Sequence, residues 1–91
     1  MTKYLIEVSH EPQKSACRRA VKTFYRTGSH FLTHSDWGCA DDEHKAWITV
    51  EVDSKEDAML IVPPEYRNDT RIITLQNFDP EEVDAMGEHS T

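Results

Sequence analysis

Polar and hydrophobic residues alternate in residues 3–8, which is the pattern of a half-buried β-strand. One face of this strand carries the apolar residues Tyr4, Ile6 and Val8, and the opposite face includes Glu7. The alternation therefore predicts a first strand with one side in the core and the other side directed away from it.

The spacing of apolar residues becomes helical after Pro12. A stripe with helical spacing predicts the first helix, and it consists of Ala16, Cys17, Ala20, Val21, Phe24 and Tyr25. We expect Gly28 to end this helix in the left-handed conformation, which glycine adopts without steric penalty. Two more strands are predicted at residues 30–37 and 45–52, joined by the polar loop GCADDEH.

A second helix is predicted after residue 53. Ser54 is its expected N-cap, and Asp57, three residues later, would complete a capping box. The pair Pro63 and Pro64 would end the helix, because proline disfavours helical conformation in the residue before it. Residues 70–78 resume a strand pattern and predict the last strand.

A short final helix is predicted from an N-cap at Asp79, a proline at the first helical position, and the terminating Gly87. We expect one domain over residues 1–91, with a core at about 3–78 and a short helix and tail at 79–91. The order β-α-β-β-α-β predicts an α+β fold of the ferredoxin-like type, with a four-stranded antiparallel sheet and two helices on one face. The loop between strands two and three is too short for a parallel crossover.

The side chains of strands two and three decide what the helix-free side of the sheet offers. Alternation in strand two places Phe31 and Trp37 together and puts on the other face His30, Leu32, His34 and Asp36. Strand three would direct away from its aliphatic face Trp47, Thr49 and Glu51. Burying the polar set would cost about 2 to 7 kcal/mol for each unsatisfied group. We therefore expect it on the helix-free face, beside Glu7.

Charge and size narrow the classes of partner. The 91 residues include 10 Lys and Arg against 17 Asp and Glu, a formal net charge of −7. This charge repels phosphate backbones and anionic lipids, so neither nucleic acid nor a membrane is an expected partner. A domain this small buries a limited fraction of its surface, so a second subunit would stabilise it.

The chain shows no signal peptide and no stretch long enough to cross a bilayer. With Cys17 and Cys39 as its only cysteines, we expect a cytoplasmic protein with free thiols and no disulfide. Cys17, on the apolar stripe of the first helix, would be a buried and inert thiol.

The β-α-β-β-α-β pattern from Lys3 to Phe78, together with the segment SHFLTHSDWGC, resembles the ferredoxin-like dimeric α+β barrel superfamily. The segments HKAWITVEVDSKEDAMLIVPPEYR and RIITLQNF are similar to those of small bacterial domains of unknown function. The resemblance implies a homodimer in which two sheets enclose a pocket. It implies no particular reaction, because folds of this kind host unrelated chemistries.

Three hypotheses for function follow. The first is binding of a small ligand or a metal ion in this polar pocket, lined by His30, Trp47, Thr49, Glu51 and Glu7. A transition metal ion, the one cofactor to consider, would have as candidate ligands His34, Asp36, His44 and Cys39. Two histidines four residues apart on a strand stand about 13 Å apart, so His30 and His34 could not share one ion there.

The second hypothesis is an acid-base enzyme, such as an isomerase or an enzyme of lactone-type chemistry. His34 and Asp36 would be its catalytic residues, because an imidazole held by a carboxylate can move a proton near neutral pH. The third hypothesis is a non-catalytic dimerisation or interaction module, in which the histidines line a seam between subunits. Neither the substrate nor the ligand follows from the sequence.

Overall fold

The sheet in the computed structural model, which describes residues 1–87, is four-stranded and antiparallel, and the fold is α+β. Its strands, in chain order, are β1 Thr2–Ser9, β2 Asp36–Trp37, β3 Lys45–Val52 and β4 Thr70–Thr74. The spatial order is β2-β3-β1-β4, so β1 pairs with both β3 and β4. The α-helices are α1 Lys14–Arg26, α2 His30–Thr33, α3 Lys55–Ile61 and α4 Pro80–Ala85. Two 3-10 turns, Cys39–Asp41 and Pro64–Asp69, complete the described elements.

The core lies on one side of the sheet, where α1 and α3 pack against it. It contains Tyr4, Ile6, Val8, Phe24, Leu32, Ala46, Ile48, Val50, Ala58 and Val62. The alternation predicted for β1 and β3 is therefore confirmed. In the register of the sheet, Ile6 lies opposite Ile48, so the buried residues of the two strands stack on the same face.

Two of the predicted helix caps are confirmed by their hydrogen bonds. The hydroxyl of Ser54 accepts a hydrogen bond from the Asp57 amide at 3.1 Å, and the carboxylate of Asp79 accepts one from the Glu82 amide at 2.7 Å. Each bond satisfies an amide that the first helical turn would otherwise leave unpaired. Gly28 follows α1 with a φ of 69°, as a left-handed residue.

The prediction of a strand over residues 30–37 is wrong for its first half. Residues His30–Thr33 form the one-turn helix α2, and only Asp36–Trp37 pair with β3. A strand would have directed the hydroxyls of Thr33 and Ser35 into the core. Instead these hydroxyls donate to the carbonyls of His30 and Leu32 at 3.0 and 2.6 Å. Such local bonds compete with a strand and close a helical turn.

The helical turn also changes which residues are buried. Leu32, expected on the helix-free face, is 1% exposed in the core, whereas Phe31, expected in the core, is 38% exposed. Trp37 does pack inward as expected, with its ring centroid 4.9 Å from that of Phe24. The last strand is also shorter than predicted and ends at Thr74.

The expectation of free thiols is wrong, because Cys17 and Cys39 form a disulfide. Cys17 lies on the first turns of α1, and Cys39 begins the turn between β2 and β3. Spacing along the chain gave no sign of this pairing, because the two residues are 22 positions apart and meet only after the sheet has formed. The bond ties the start of α1 to the loop before β3.

The final helix protrudes from the rest of the fold. Val83 and Met86 are 53% and 51% exposed, and Phe78 just before the helix is 49% exposed. Within residues 1–87, every helix is too short or too polar to span a lipid bilayer.

Candidate functional site

A concave site lies beside the outer edge of β3. Within residues 1–87, β2 pairs only with Ala46 and Trp47, so α2 rather than a strand flanks the rest of this edge. The resulting groove has a volume of about 480 Å³ and is lined by Met1, Lys3, His30, Phe31, His34, Ile48, Thr49, Val50 and Glu51. This volume is in the range of small-molecule sites.

Two histidines stand next to each other on the α2 wall of the groove. The ring centroids of His30 and His34 are 4.4 Å apart, because residues four apart lie on the same side of a helix. The wide separation expected for two histidines on a strand therefore does not apply. We call these two side chains the imidazole pair.

Hydrogen bonding fixes the orientation of one ring of the imidazole pair. His34 Nδ1 lies 2.8 Å from the carbonyl oxygen of His30. A carbonyl oxygen can only accept, so Nδ1 carries the hydrogen, and in the neutral ring the lone pair is on Nε2. Nε2 of His34 is therefore the nitrogen available to a ligand, a proton or a metal ion.

The opposite wall of the groove combines charged and apolar groups. Lys3 lies directly across from Glu51 in the pairing of β1 with β3, which brings an ammonium and a carboxylate to the same part of the groove. Met1, just before β1, supplies exposed apolar surface on this wall, and Phe31 supplies an exposed aromatic ring on the α2 wall. The site thus offers an apolar patch beside three groups that can carry positive charge.

Of the predicted pocket residues, His30, Thr49 and Glu51 line this groove together with His34. Glu7 and Trp47 do not line the groove; they lie further along the same helix-free face as Thr49 and Glu51, opposite each other in the register. The Glu7 carboxylate accepts from the Trp47 indole at 3.3 Å and lies 3.4 Å from Arg71 Nη1 and 3.9 Å from Lys45 Nζ.

Glu7 therefore holds the helix-free face together through cross-strand contacts. Its side chain is 13% exposed, and both of its oxygens have partners. Asp36 lies on the same face, opposite Trp47 in the pairing of β2 with β3. These residues are outside the groove, and their role in binding stays a prediction.

The predicted metal ligands do not meet as a set. Within residues 1–87, the group of three ligand atoms close enough to share an ion consists of His10, Cys17 and Cys39. Of the predicted ligands, it contains only Cys39. His34 faces the groove, and Asp36 lies on the helix-free face.

The structure brings in functional candidates that the sequence patterns missed. Lys3 lines the groove because a full antiparallel ladder aligns it with Glu51. His10 lies next to the disulfide because β1 ends at Ser9, close to both cysteines. Neither residue belongs to a short-range motif. Only the pairing of β1 with β3 could have revealed them.

The two arginines near β4 have structural roles. Arg67 Nε donates to the carbonyl of Val62 at 2.9 Å, and its Nη2 donates to that of Leu60 at 3.3 Å. These bonds satisfy carbonyls at the end of α3. Arg71 pairs with Glu7 as described above.

Comparison with known proteins gave no match to the chain among family models, curated proteins or solved structures. The groove and the chemistry of its residues are therefore the features of the molecule that bear on its function.

Proposed function

We propose that the protein binds a small organic ligand with a carboxylate group in the groove between α2 and β3. The imidazole pair carries this proposal, because its two rings stand 4.4 Å apart at the wall of a 480 Å³ groove. Lys3 adds a third cationic group, and Phe31 offers an aromatic surface for the ligand body.

Charge in the groove differs from charge in the whole molecule. The chain carries −7 overall, yet the groove contains two imidazoles and one ammonium against the single carboxylate of Glu51. This local excess of groups that can carry positive charge favours a ligand with a carboxylate over a neutral ligand of the same shape.

The test is a titration with benzoate, an aromatic carboxylate, followed by amide chemical shifts in NMR. We expect shifts in α2 and in residues 48–51, and little binding of the neutral analogue benzamide. The double variant His30→Ala, His34→Ala should lose the binding. His44→Ala, a matched change outside the groove, should keep it. Equal binding by the double variant would refute the proposal.

A second candidate ligand is a divalent transition metal ion held by the imidazole pair. The helical spacing of the pair favours it, as does the hydrogen bond that leaves His34 Nε2 with a free lone pair. Nickel or copper would suit two imidazoles with carboxylate or water as further ligands. Titration of the oxidised protein with Ni²⁺ separates this candidate from any site on the cysteines, and His34→Ala should abolish it.

Catalysis by His34 is a further possibility that the same geometry supports. His34 lines the groove, and in its neutral ring Nε2 has a lone pair and no hydrogen, as a general base requires. Asp36, the predicted partner, does not line the groove, so we propose His34 alone as the proton acceptor. A hydrogen-exchange assay on a bound carbon acid would detect such proton removal, and His34→Ala should eliminate it.

We also propose the ferredoxin-like arrangement and a homodimer. The strand order β2-β3-β1-β4 and the two core-packed helices support the first. A short second strand and the added helix α2 are the departures from the ideal pattern.

The proposed homodimer is supported by apolar side chains on the helix-free face, where Leu5, Trp47 and Ile73 are half-buried. Sedimentation equilibrium should give a dimer that Trp47→Glu converts to a monomer, and a monomer at all concentrations would contradict it.

A further inference from the structure

A second cluster of reactive side chains lies at the other end of β3, around the disulfide. The Nε2 atom of His10 is 3.4 Å from Cys39 Sγ, and the ligand atoms of His10, Cys17 and Cys39 all lie within 4.8 Å of one another. All three residues are partly buried. We call them the His10–Cys17–Cys39 cluster.

Hydrogen bonding shows which nitrogen of His10 faces the sulfur atoms. His10 Nδ1 lies 2.9 Å from the carbonyl oxygen of Glu11, so Nδ1 carries the hydrogen. In the neutral ring, the lone pair of Nε2 therefore points toward Cys39 Sγ. A carbonyl that receives the far ring hydrogen is the usual outer partner of a histidine that binds metal.

The contact between Nε2 and the disulfide lacks a hydrogen atom. A disulfide sulfur has no hydrogen to donate, and neutral Nε2 has none either. At 3.4 Å the two atoms are in van der Waals contact without a hydrogen bond, so the nitrogen lone pair keeps no hydrogen-bond donor on this side. The adjacent His44 ring, 5.6 Å from that of His10, also has a buried Nδ1 without a hydrogen-bond partner among the described residues.

From these observations we infer that the His10–Cys17–Cys39 cluster is a redox-dependent binding site for a thiophilic metal ion such as Zn²⁺. A tetrahedral ion with bonds of about 2.3 Å to sulfur and about 2.0 Å to nitrogen holds its ligand atoms roughly 3.5 to 3.8 Å apart. The 3.4 Å separation of His10 Nε2 and Cys39 Sγ is about 0.1 Å below the lower end of this spacing. The two bonded sulfur atoms would have to separate.

Conversion from the disulfide to the metal-binding form requires a thiol reductant. The reductant supplies two electrons and two protons, which convert the disulfide to two thiols, and it is itself oxidised to a disulfide. The metal ion then displaces both thiol protons and forms two metal–sulfur bonds, and His10 Nε2 contributes the third bond from its lone pair. In the reverse direction a small-molecule disulfide, the oxidised form of such a reductant, takes two electrons from the two thiolates and two protons from solvent, becomes two thiols, restores the Cys17–Cys39 disulfide and releases the ion. The fold would thus exchange a covalent link for a metal link between α1 and the loop before β3.

The test uses Co²⁺ as a spectroscopic substitute for Zn²⁺. The protein is reduced, separated from the reductant under nitrogen, and titrated with Co²⁺. We expect one equivalent to give a thiolate-to-cobalt charge-transfer band and the intense visible bands of a tetrahedral site, which Zn²⁺ then bleaches. Oxidised protein should show none of these bands, and far-ultraviolet circular dichroism should show a folded metal-bound chain.

Variants separate this site from the groove. His10→Ala should weaken Co²⁺ binding at least as much as loss of an outer-shell partner does, on the order of 10- to 100-fold. The matched change His34→Ala should leave the charge-transfer band and the affinity unaltered. The double variant Cys17→Ser, Cys39→Ser should lose the band. The inference fails if reduced protein gives no charge-transfer band, if it stays unfolded with Co²⁺ present, or if His10→Ala and His34→Ala behave alike.

Discussion

At the scale of single residues, two hydroxyl groups decide the conformation of the segment that carries the imidazole pair. Thr33 and Ser35 bond to carbonyls three residues earlier, and this local satisfaction favours a helical turn over a strand. The alternation that places Phe31 and Trp37 on one face is a weaker signal than the two hydroxyl residues, Thr33 and Ser35, that the same face would carry. The sequence contained that conflict, since a buried strand face rarely carries two hydroxyls.

The substitution Gly38→Ala should lower the free energy of unfolding by about 2 to 3 kcal/mol. A Cβ atom there would lie 2.6 Å from the Glu43 carbonyl oxygen and 2.9 Å from the Trp47 side chain. Overpacking of this kind costs up to about 3 kcal/mol, and a backbone neighbour cannot rotate away. Urea unfolding measures the change.

Gly28→Ala serves as the comparison for this substitution. Nothing lies within 4 Å of a Cβ at Gly28, so the only penalty is its positive φ of 69°, about 1 kcal/mol. A loss at Gly38 no larger than the loss at Gly28 would contradict the close packing of the turn before β3.

Arg67→Ala should destabilise the protein by about 1 to 2 kcal/mol, because it leaves carbonyls at the end of α3 without their charged donor. Arg71→Ala, a matched change on β4, should cost less than about 1 kcal/mol, since that side chain is 72% exposed and its ion pair with Glu7 is screened. Thermal unfolding of the two variants should rank them in this order.

At the scale of the elements, the sequence predicted most accurately where a pattern and a cap agreed. The strand over residues 45–52 has its predicted bounds, and Ser54 and Asp79 cap their helices as expected. The strand prediction for residues 30–37 failed because eight residues are too few to distinguish a helical period from a strand period. The conformation of this segment depends on local hydrogen bonds and on which side chain fills the core.

The two confirmed caps should differ in their effect on stability. Ser54→Ala should lower the free energy of unfolding by about 1 kcal/mol, because α3 packs Ala58 into the core and cannot fray without exposing it. Asp79→Ala removes a similar bond from α4, whose apolar residues are about half exposed, so global stability should change little. Chemical denaturation of both variants tests this, and equal losses would show that α4 is part of the cooperative unit.

At the scale of the whole molecule, the disulfide is the feature that composition could not predict. Two cysteines in a short chain favoured free thiols, and only the tertiary fold brings Cys17 and Cys39 together. The cytoplasmic location stays a prediction, and it no longer has the support of free thiols. The groove was likewise not predictable from the sequence, because Lys3 and Glu51 come together through strand pairing rather than through a short sequence motif.

Reduction of the disulfide in the absence of metal should lower the free energy of unfolding by about 3 kcal/mol. This is the free energy expected when the unfolded chain regains the conformational entropy that a link across 22 positions removes. Urea unfolding with and without a reductant measures this difference. The variant Cys17→Ala, Cys39→Ala should be as stable as the reduced protein and should not respond to the reductant. A reductant effect in that variant would place its origin elsewhere.

The disulfide also encloses the imidazole pair in a covalent ring that runs from Cys17 to Cys39. A single nick in the backbone between Arg26 and His30 would leave both fragments joined as one particle, heavier than the intact chain by one water molecule. The fragment that begins after the nick carries α2, and this helix would remain connected to the sheet because the chain continues from it through Cys39 into β3. The two pieces would come apart in mass only after the sulfur–sulfur bond is cleaved.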